Sequence, residues 1–342
     1  MEQTVLILAI LVERVAMYGI SVFGIIGNSI NIVVLNRHGF QDSTNIILVS
    51  LSVSDLCFCI LLPVTRLGSM ISHFDEVLAT SAHTFVTVFF FMPKFVFLGT
   101  SFWYVALIAV ERYTAVFFPF HVSIIFTKTL IKCLVTAIFL ASVLTISPSF
   151  FALNYKFVYN VNYNQTTAVI VYTNFYRKHH SIIDFYVWVG LTNIFCSISA
   201  IVVLYCCVAI VYRLSQASSR RLKMTSNTTG YDIKVVKMLV TVCIIYLCVQ
   251  IPLIVMYSYF RPDFMFRTPV HQLFNDICDI LCLVNASANY IVYVTMSAKF
   301  ARNLPGVDGM LSAKVDQIDS WIIQAGYAHS RTYSAEPASE LK

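Results

Sequence analysis

Seven long apolar runs dominate the chain, at roughly 9–36, 45–71, 84–113, 129–151, 183–213, 233–260 and 270–296. Crossing the hydrocarbon core of a bilayer takes about 20 mostly apolar residues, because a helix rises about 1.5 Å per residue. Lipid offers no water to satisfy backbone N–H and C=O groups, so runs of this length must become helices. The sequence therefore predicts an all-α, seven-transmembrane helix bundle. The runs exceed the minimum, which implies tilted or projecting helices. Composition agrees: 58% of residues are hydrophobic and 12% charged, against about half and a quarter in soluble domains. This excludes an ordinary soluble enzyme, a disordered or collagen-like chain and a nucleic-acid binder. The stretch Thr4–Val12 resembles a signal-peptide core, but Glu2 is a poor start for one and no small-x-small cleavage site follows. It reads as the outer end of span one, after a short extracellular N-terminus at 1–8.

Basic residues set the orientation. With the N-terminus outside, the inner side holds twelve: Arg37, Arg112, Lys128, Lys132, Arg213, Arg220, Arg221, Lys223, Lys234, Lys237, Lys299 and Arg302. The outer side holds five: Lys156, Arg177, Lys178, Arg261 and Arg267. This asymmetry predicts a multi-pass protein of the plasma membrane, N-terminus out and C-terminus in. The long outer loop, 152–182, carries the sequon Asn164-Gln165-Thr166, a glycosylation acceptor if it faces outside. A second sequon at Asn227 falls in the basic inner loop. Residues 297–304 read as a short amphipathic helix on the membrane surface, with Phe300 inward and Lys299 and Arg302 at the headgroups. They complete a membrane domain over 9–304, and 305–342 reads as a flexible cytoplasmic tail. All ten cysteines lie in apolar runs, where they act as small hydrophobes, and none forms a set with zinc spacing.

Ionisable and amide groups inside a span are costly and so are candidates for function. Span two carries Asp55, span one Asn28, span three Ser101, and span seven Asn285 and Asn289. Span three ends in Glu111-Arg112-Tyr113, span six carries Gln250-Ile251-Pro252, and span seven ends in Asn289-Tyr290-Ile291-Val292-Tyr293. Lys94 lies 18 residues before Arg112. That is five helical turns, about 27 Å on the same face, in the outer third of the span. Arg66 lies three turns above Asp55, and Asp279 and Asp276 lie in span seven. Two readings compete here. Lys94 and Arg66 bind an anion, or Lys94 pairs with Asp279 and ties span three to span seven. Both hold if an anionic ligand displaces Asp279.

In order and at these depths, the motifs resemble the rhodopsin-like (class A) G-protein-coupled receptors, over nearly all of residues 10–304. Gly27-Asn28, Phe40–Asn45 and Glu111–Pro119 are also similar to molluscan chemosensory receptors. Asn285–Tyr293 is similar to invertebrate peptide receptors of the FMRFamide type. The resemblance implies that Arg112 pairs at rest with Glu111 and with Asp232, and meets a heterotrimeric G protein once the sixth helix swings out. Tyr113 completes that triplet, and Tyr205 and Tyr293 match tyrosines that turn inward on activation. Asp55, Ser101, Asn285 and Asn289, with Asn28 nearby, match a polar cluster that holds a sodium ion, a hard cation suited to oxygen ligands. The alternative is a hydrogen-bonded water network around a protonated Asp55. No other metal or cofactor is implied.

The chain departs from the family pattern in several places. Thr87 stands where the family has a cysteine, and 152–182 holds no partner for one. Gln250 replaces a tryptophan, Tyr290 a proline, and Ser197 stands near a missing proline of span five. Span four lacks its tryptophan.

The favoured reading is a receptor for a small chemosensory molecule, contacted by Arg66, Lys94, Gln250, Tyr257, Asp276 and Asp279. The alternative is a neuropeptide receptor, and a transporter or channel is remote because no internal repeat appears. An opsin is disfavoured because Leu283 stands where a retinal lysine belongs. No catalytic set appears, so an enzyme is not expected.

Overall fold

The computed structural model describes residues 12–37, 43–72, 74–161, 164–191, 193–221, 230–259 and 269–296. The N-terminus, the inner loop with Asn227, the surface helix expected at 297–304 and the tail lie outside the described residues. The long helices are α1 (Tyr18–Arg37), α2 (Ser43–Thr65), α3 (Glu76–Phe117), α4 (Lys128–Phe150), α5 (Ile198–Arg221), α6 (Gly230–Tyr259) and α7 (Pro269–Met296). Among the described residues, five stretches are long and apolar enough to cross a membrane: Val15–Arg37, Ser43–Ile71, Glu76–Phe117, Lys128–Phe150 and Asn174–Arg213. The described part of α6, Val240–Val255, is also apolar. Helix α7 is less apolar because it carries Asp276, Asp279, Asn285 and Asn289, all buried among its neighbours.

Helix α3 is the central post and touches α2, α4, α5 and α6, while α7 packs on α1, α2 and α6. The core runs through these contacts, from Leu51 and Phe58 on α2 through Phe102 and Ile108 on α3 to Tyr246 on α6 and Leu283 on α7. Close approach depends on glycines, Gly24 and Gly99 among them. A Cβ on Gly24 would sit 2.5 Å from Ser287 Oγ and 2.6 Å from Cys59 Sγ, and one on Gly99 would sit 2.5 Å from the Phe195 ring. All ten cysteines are free thiols, seven of them buried.

Two boundaries differ from the sequence expectation. Helix α3 begins at Glu76, not near 84. Asp75 caps it by accepting from the backbone N–H groups of Val77 and Leu78, both at 2.9 Å, and Glu76 complements the positive helix start. Its 42 residues span about 63 Å, so the helix projects well past a bilayer core. The fifth span likewise begins early, at Asn174, where Thr173 caps the helix Asn174–Phe185. Two π-helical segments, Tyr186–Leu191 and Asn193–Ser197, join that helix to α5.

The loop 152–182 adds one small β element to the helical bundle. It folds into an antiparallel hairpin, β1 (Leu153–Asn160) and β2 (Gln165–Tyr172), with Leu153 opposite Tyr172 and Asn160 opposite Gln165. Both strands are rich in aromatic and β-branched residues, which suit a pleated surface. Asn164, at φ 52°, turns the tip in the left-handed conformation that asparagine tolerates.

The hairpin docks on the N-terminal turns of α3. Thr84 Oγ1 donates to the carbonyl of Ala168 at 2.9 Å, and the Ala168 N–H donates to Ser81 Oγ at 3.2 Å. Two hydroxyls one turn apart thus take both backbone groups of one strand residue. Beside them Phe85 meets Tyr155 edge-on with centroids 5.0 Å apart, and Phe89 meets the same ring at 6.1 Å. This clasp joins the start of α3 to the hairpin without a disulfide, since residues 152–182 hold no cysteine. Each hydrogen bond contributes about 0.5–1.5 kcal/mol. A Ser81→Ala, Thr84→Val double variant is expected to raise amide exchange across 165–172 about tenfold, with dithiothreitol leaving the parent's exchange unchanged. Unaltered exchange in the variant would assign the docking to the rings alone.

Candidate functional site

Polar side chains gather at three depths along the axis of α3. The outer group brings together α2, α3 and α7. Arg66 follows the end of α2, before the short helix Leu67–Ile71. Its Nη2 lies 3.0 Å from Asp276 Oδ1 and 2.7 Å from Asp279 Oδ2. Lys94 Nζ lies 3.5 Å from the other oxygen, Asp279 Oδ1. It also sits over the faces of Phe91 and Phe95, 5.0 and 4.7 Å from the centroids, where the ring quadrupole attracts a cation. Lys94, Asp276 and Asp279 are buried, and the Arg66 side chain is the most open of the four at 18%. The Asp279 carboxylate therefore bridges two cations, and the group is neutral as a whole.

Gln250 is buried but belongs to a separate chain of hydrogen bonds. Its Nε2 donates to Tyr246 Oη at 2.8 Å, and that hydroxyl meets Ser199 Oγ at 2.6 Å. The Gln250 amide oxygen has no partner among the described residues. The Tyr257 side chain lies outside the described part of α6.

The middle group centres on Asp55. Ser101 Oγ donates to Oδ1 at 2.5 Å, and Asn289 Nδ2 donates to Oδ2 at 2.7 Å. Asn28 Nδ2 donates to the carbonyls of Gly24 and Ala286, each at 3.0 Å, and so ties α1 to α7. Asn285 is also buried. The oxygens of Asp55 and Ser101 are of the kind a hard cation takes, and here both carboxylate oxygens also accept protein hydrogen bonds.

The inner group is built on Glu111. Its Oε1 accepts from Ser43 Oγ at 2.9 Å and Thr44 Oγ1 at 2.8 Å, and its Oε2 lies 3.0 Å from Arg112 Nη2. Arg112 Nη2 also donates to Thr44 Oγ1. Tyr113 stacks on Phe117 at 4.5 Å and faces Tyr205 at 5.9 Å. The side chains of Asp232 and Tyr293 lie outside the described part of their helices. Sequence reasoning missed Ser43, Thr44 and Ser199. The first two start α2 at the edge of its apolar run, where hydroxyl residues read as ordinary loop or cap positions.

A helical membrane protein with buried charge at three levels is thereby defined, one whose polar groups bridge helices and leave no catalytic set among the described residues. Residues 27–293 match the 7 transmembrane receptor (rhodopsin family) profile, and the chain belongs to that family. The match runs from within α1 to near the end of α7 and so takes in every group described above. Membership makes the protein a multi-pass G-protein-coupled receptor and not an enzyme. No curated protein matches the chain.

Proposed function

We propose that this receptor sits in the plasma membrane with its N-terminus outside, as seven spans, and answers a small chemosensory molecule bearing a carboxylate. The observation that carries this reading is the buried outer group. Among the described residues Lys94 holds a single carboxylate at 3.5 Å, shared with Arg66, and buried unpaired charge is expensive. A ligand carboxylate at Lys94 would compete with Asp279 and loosen the tie between α3 and α7. Arg66, Asp276, Gln250 and Tyr257 complete the contact set. On this reading the altered packing frees Arg112 from Glu111 at the inner end, where a heterotrimeric G protein docks, while Tyr113, Tyr205, Asp232 and Tyr293 take part in the helix movement.

Asn164, exposed at the hairpin tip, is the proposed glycosylation site. A sodium ion at Asp55 and Ser101 is the proposed occupant of the middle group. Melting of purified receptor in sodium rather than choline chloride tests it. A sodium-dependent gain lost in Asp55→Asn supports the ion, and equal melting favours the hydrogen-bonded network alone.

The function itself is tested in cells carrying a promiscuous G protein, with calcium as readout, against small anions, amines and RFamide-type peptides. A response to anions lost in Lys94→Ala, at equal surface expression, is expected. Arg112→Ala should abolish signalling to any agonist. A peptide response indifferent to Lys94 would move the site outward and support the neuropeptide alternative. Solute or ion flux without G-protein activation would favour a transporter or channel.

A further inference from the structure

The outer group carries more chemical information than the presence of a cation. Four charges meet there, two positive and two negative, and three of the four side chains are buried. A buried charge left without a partner is strongly destabilising, and a low-dielectric site magnifies any net imbalance. A ligand bearing only a carboxylate would leave the group one negative charge in excess. A ligand bearing only an ammonium would leave it one positive charge in excess.

The two ends of the group differ in strength. Asp279 Oδ2 is held firmly by Arg66 at 2.7 Å, and Oδ1 meets Lys94 at a longer 3.5 Å. Lys94 has three N–H donors and, among the described residues, one carboxylate and two ring faces to meet them. Donor capacity is thus in surplus at Lys94, and the weakest ion pair in the group is the one between Lys94 and Asp279.

From this balance we infer that the ligand is a zwitterion of the amino-acid type. It exchanges one ion pair for two, its carboxylate on Lys94 and its ammonium on Asp279 Oδ1. Every charge then keeps a partner, Arg66 continues to hold Asp279 and Asp276, and the group stays neutral. The inference rests on the proposed reading of this group as the ligand contact, and it narrows that reading from carboxylates in general to molecules carrying both charges on adjacent or nearly adjacent carbons.

The test uses the full-length receptor in the same calcium readout. The probes are the common amino acids, each beside its deaminated acid and its decarboxylated amine: L-leucine with 4-methylpentanoate and 3-methylbutylamine, L-phenylalanine with 3-phenylpropionate and phenethylamine, and so on. At least one amino acid is expected to activate at a concentration roughly ten- to hundredfold below both of its partners, as the loss of one charge-assisted contact implies. Lys94→Gln and Asp279→Asn should each weaken that response about tenfold or more. The charge-swapped double variant Lys94→Asp, Asp279→Lys keeps the pair and guards against loss of fold. Its recovery of surface expression with a weakened amino-acid response supports the inference.

An acid as potent as its amino acid, with the response lost in Lys94→Gln, would overturn the zwitterion while leaving the carboxylate reading intact. An amino-acid response indifferent to Lys94 and Asp279 would overturn both. Silence to every amino acid in cells where an acid activates would also overturn the zwitterion.

Discussion

Asp55→Ala is expected to lower the melting temperature of detergent-purified receptor more than any other single substitution in the middle group. Among the described residues the carboxylate is the partner of two buried donors, Ser101 Oγ at 2.5 Å and Asn289 Nδ2 at 2.7 Å. Removing it orphans both, and each stranded donor costs about 1–3 kcal/mol in a protein interior. Helices that separate within lipid also find partners, so hydrogen bonds between membrane helices often measure nearer 0.6 kcal/mol. The two losses together are therefore expected to total about 1–3 kcal/mol. Asp55→Asn should cost less. Its amide oxygen still accepts from one donor, and only the other faces an N–H. The loss should also be local to the junction of α2, α3 and α7. The clasp between α3 and the hairpin is remote and should keep its exchange protection. Thermal unfolding of the three proteins in one detergent decides this. Equal melting of Asp55→Ala and the parent would show that helix packing around Phe58 and Phe102 holds the junction without the polar bridge.

How much of this was legible in the sequence depended on what writes each feature. Apolar runs are written directly, because lipid demands them, and they located the long helices to within a few residues over most of their length. The ends of α3 and of the fifth span were not written that way. Residues 76–83 and 174–182 form helix beyond the expected runs, so polarity there reads as loop. The only signals were local caps, Asp75 and Thr173, which are common in loops too. The hairpin strands 153–160 and 165–172 carry β-forming residues, yet their docking depends on Ser81 and Thr84, more than 80 positions away. Helical spacing along α3 could place Lys94 and Arg112 on one face. It could not show that Arg66 reaches two acids of α7, because that contact depends on how α2 leans toward α7. Nor could it reveal that Glu111 is held by the start of α2, since a Ser-Thr pair at a helix start has an ordinary capping role.

That last contact leads to the largest effect expected on signalling. Glu111→Ala should raise ligand-independent G-protein activation. In the structure Glu111 is nearly sequestered and holds three groups at once: the Ser43 and Thr44 hydroxyls and the Arg112 guanidinium. It holds the arginine against the start of α2. Without the carboxylate, Arg112 keeps Thr44 as its one remaining partner on α2. Removing one member of a buried charge pair can cost about 3–5 kcal/mol. This pair lies at the inner rim and the Arg112 side chain is 14% exposed, so screening reduces the penalty to about 1–3 kcal/mol. If the active arrangement lacks these contacts, that energy is lost from the resting state alone. A change of this size shifts a two-state balance by about 5- to 150-fold. Glu111→Gln should act less, because its amide oxygen still accepts from Ser43 or Thr44. Ser43→Ala with Thr44→Val should act in the same direction as Glu111→Ala and more weakly, since it removes the hydroxyls and keeps the ion pair. Basal second-messenger levels at matched surface expression measure all three. An unchanged basal level in Glu111→Ala would mean that the restraint on Arg112 comes from elsewhere, with the acid of α6 at Asp232 the next group to replace.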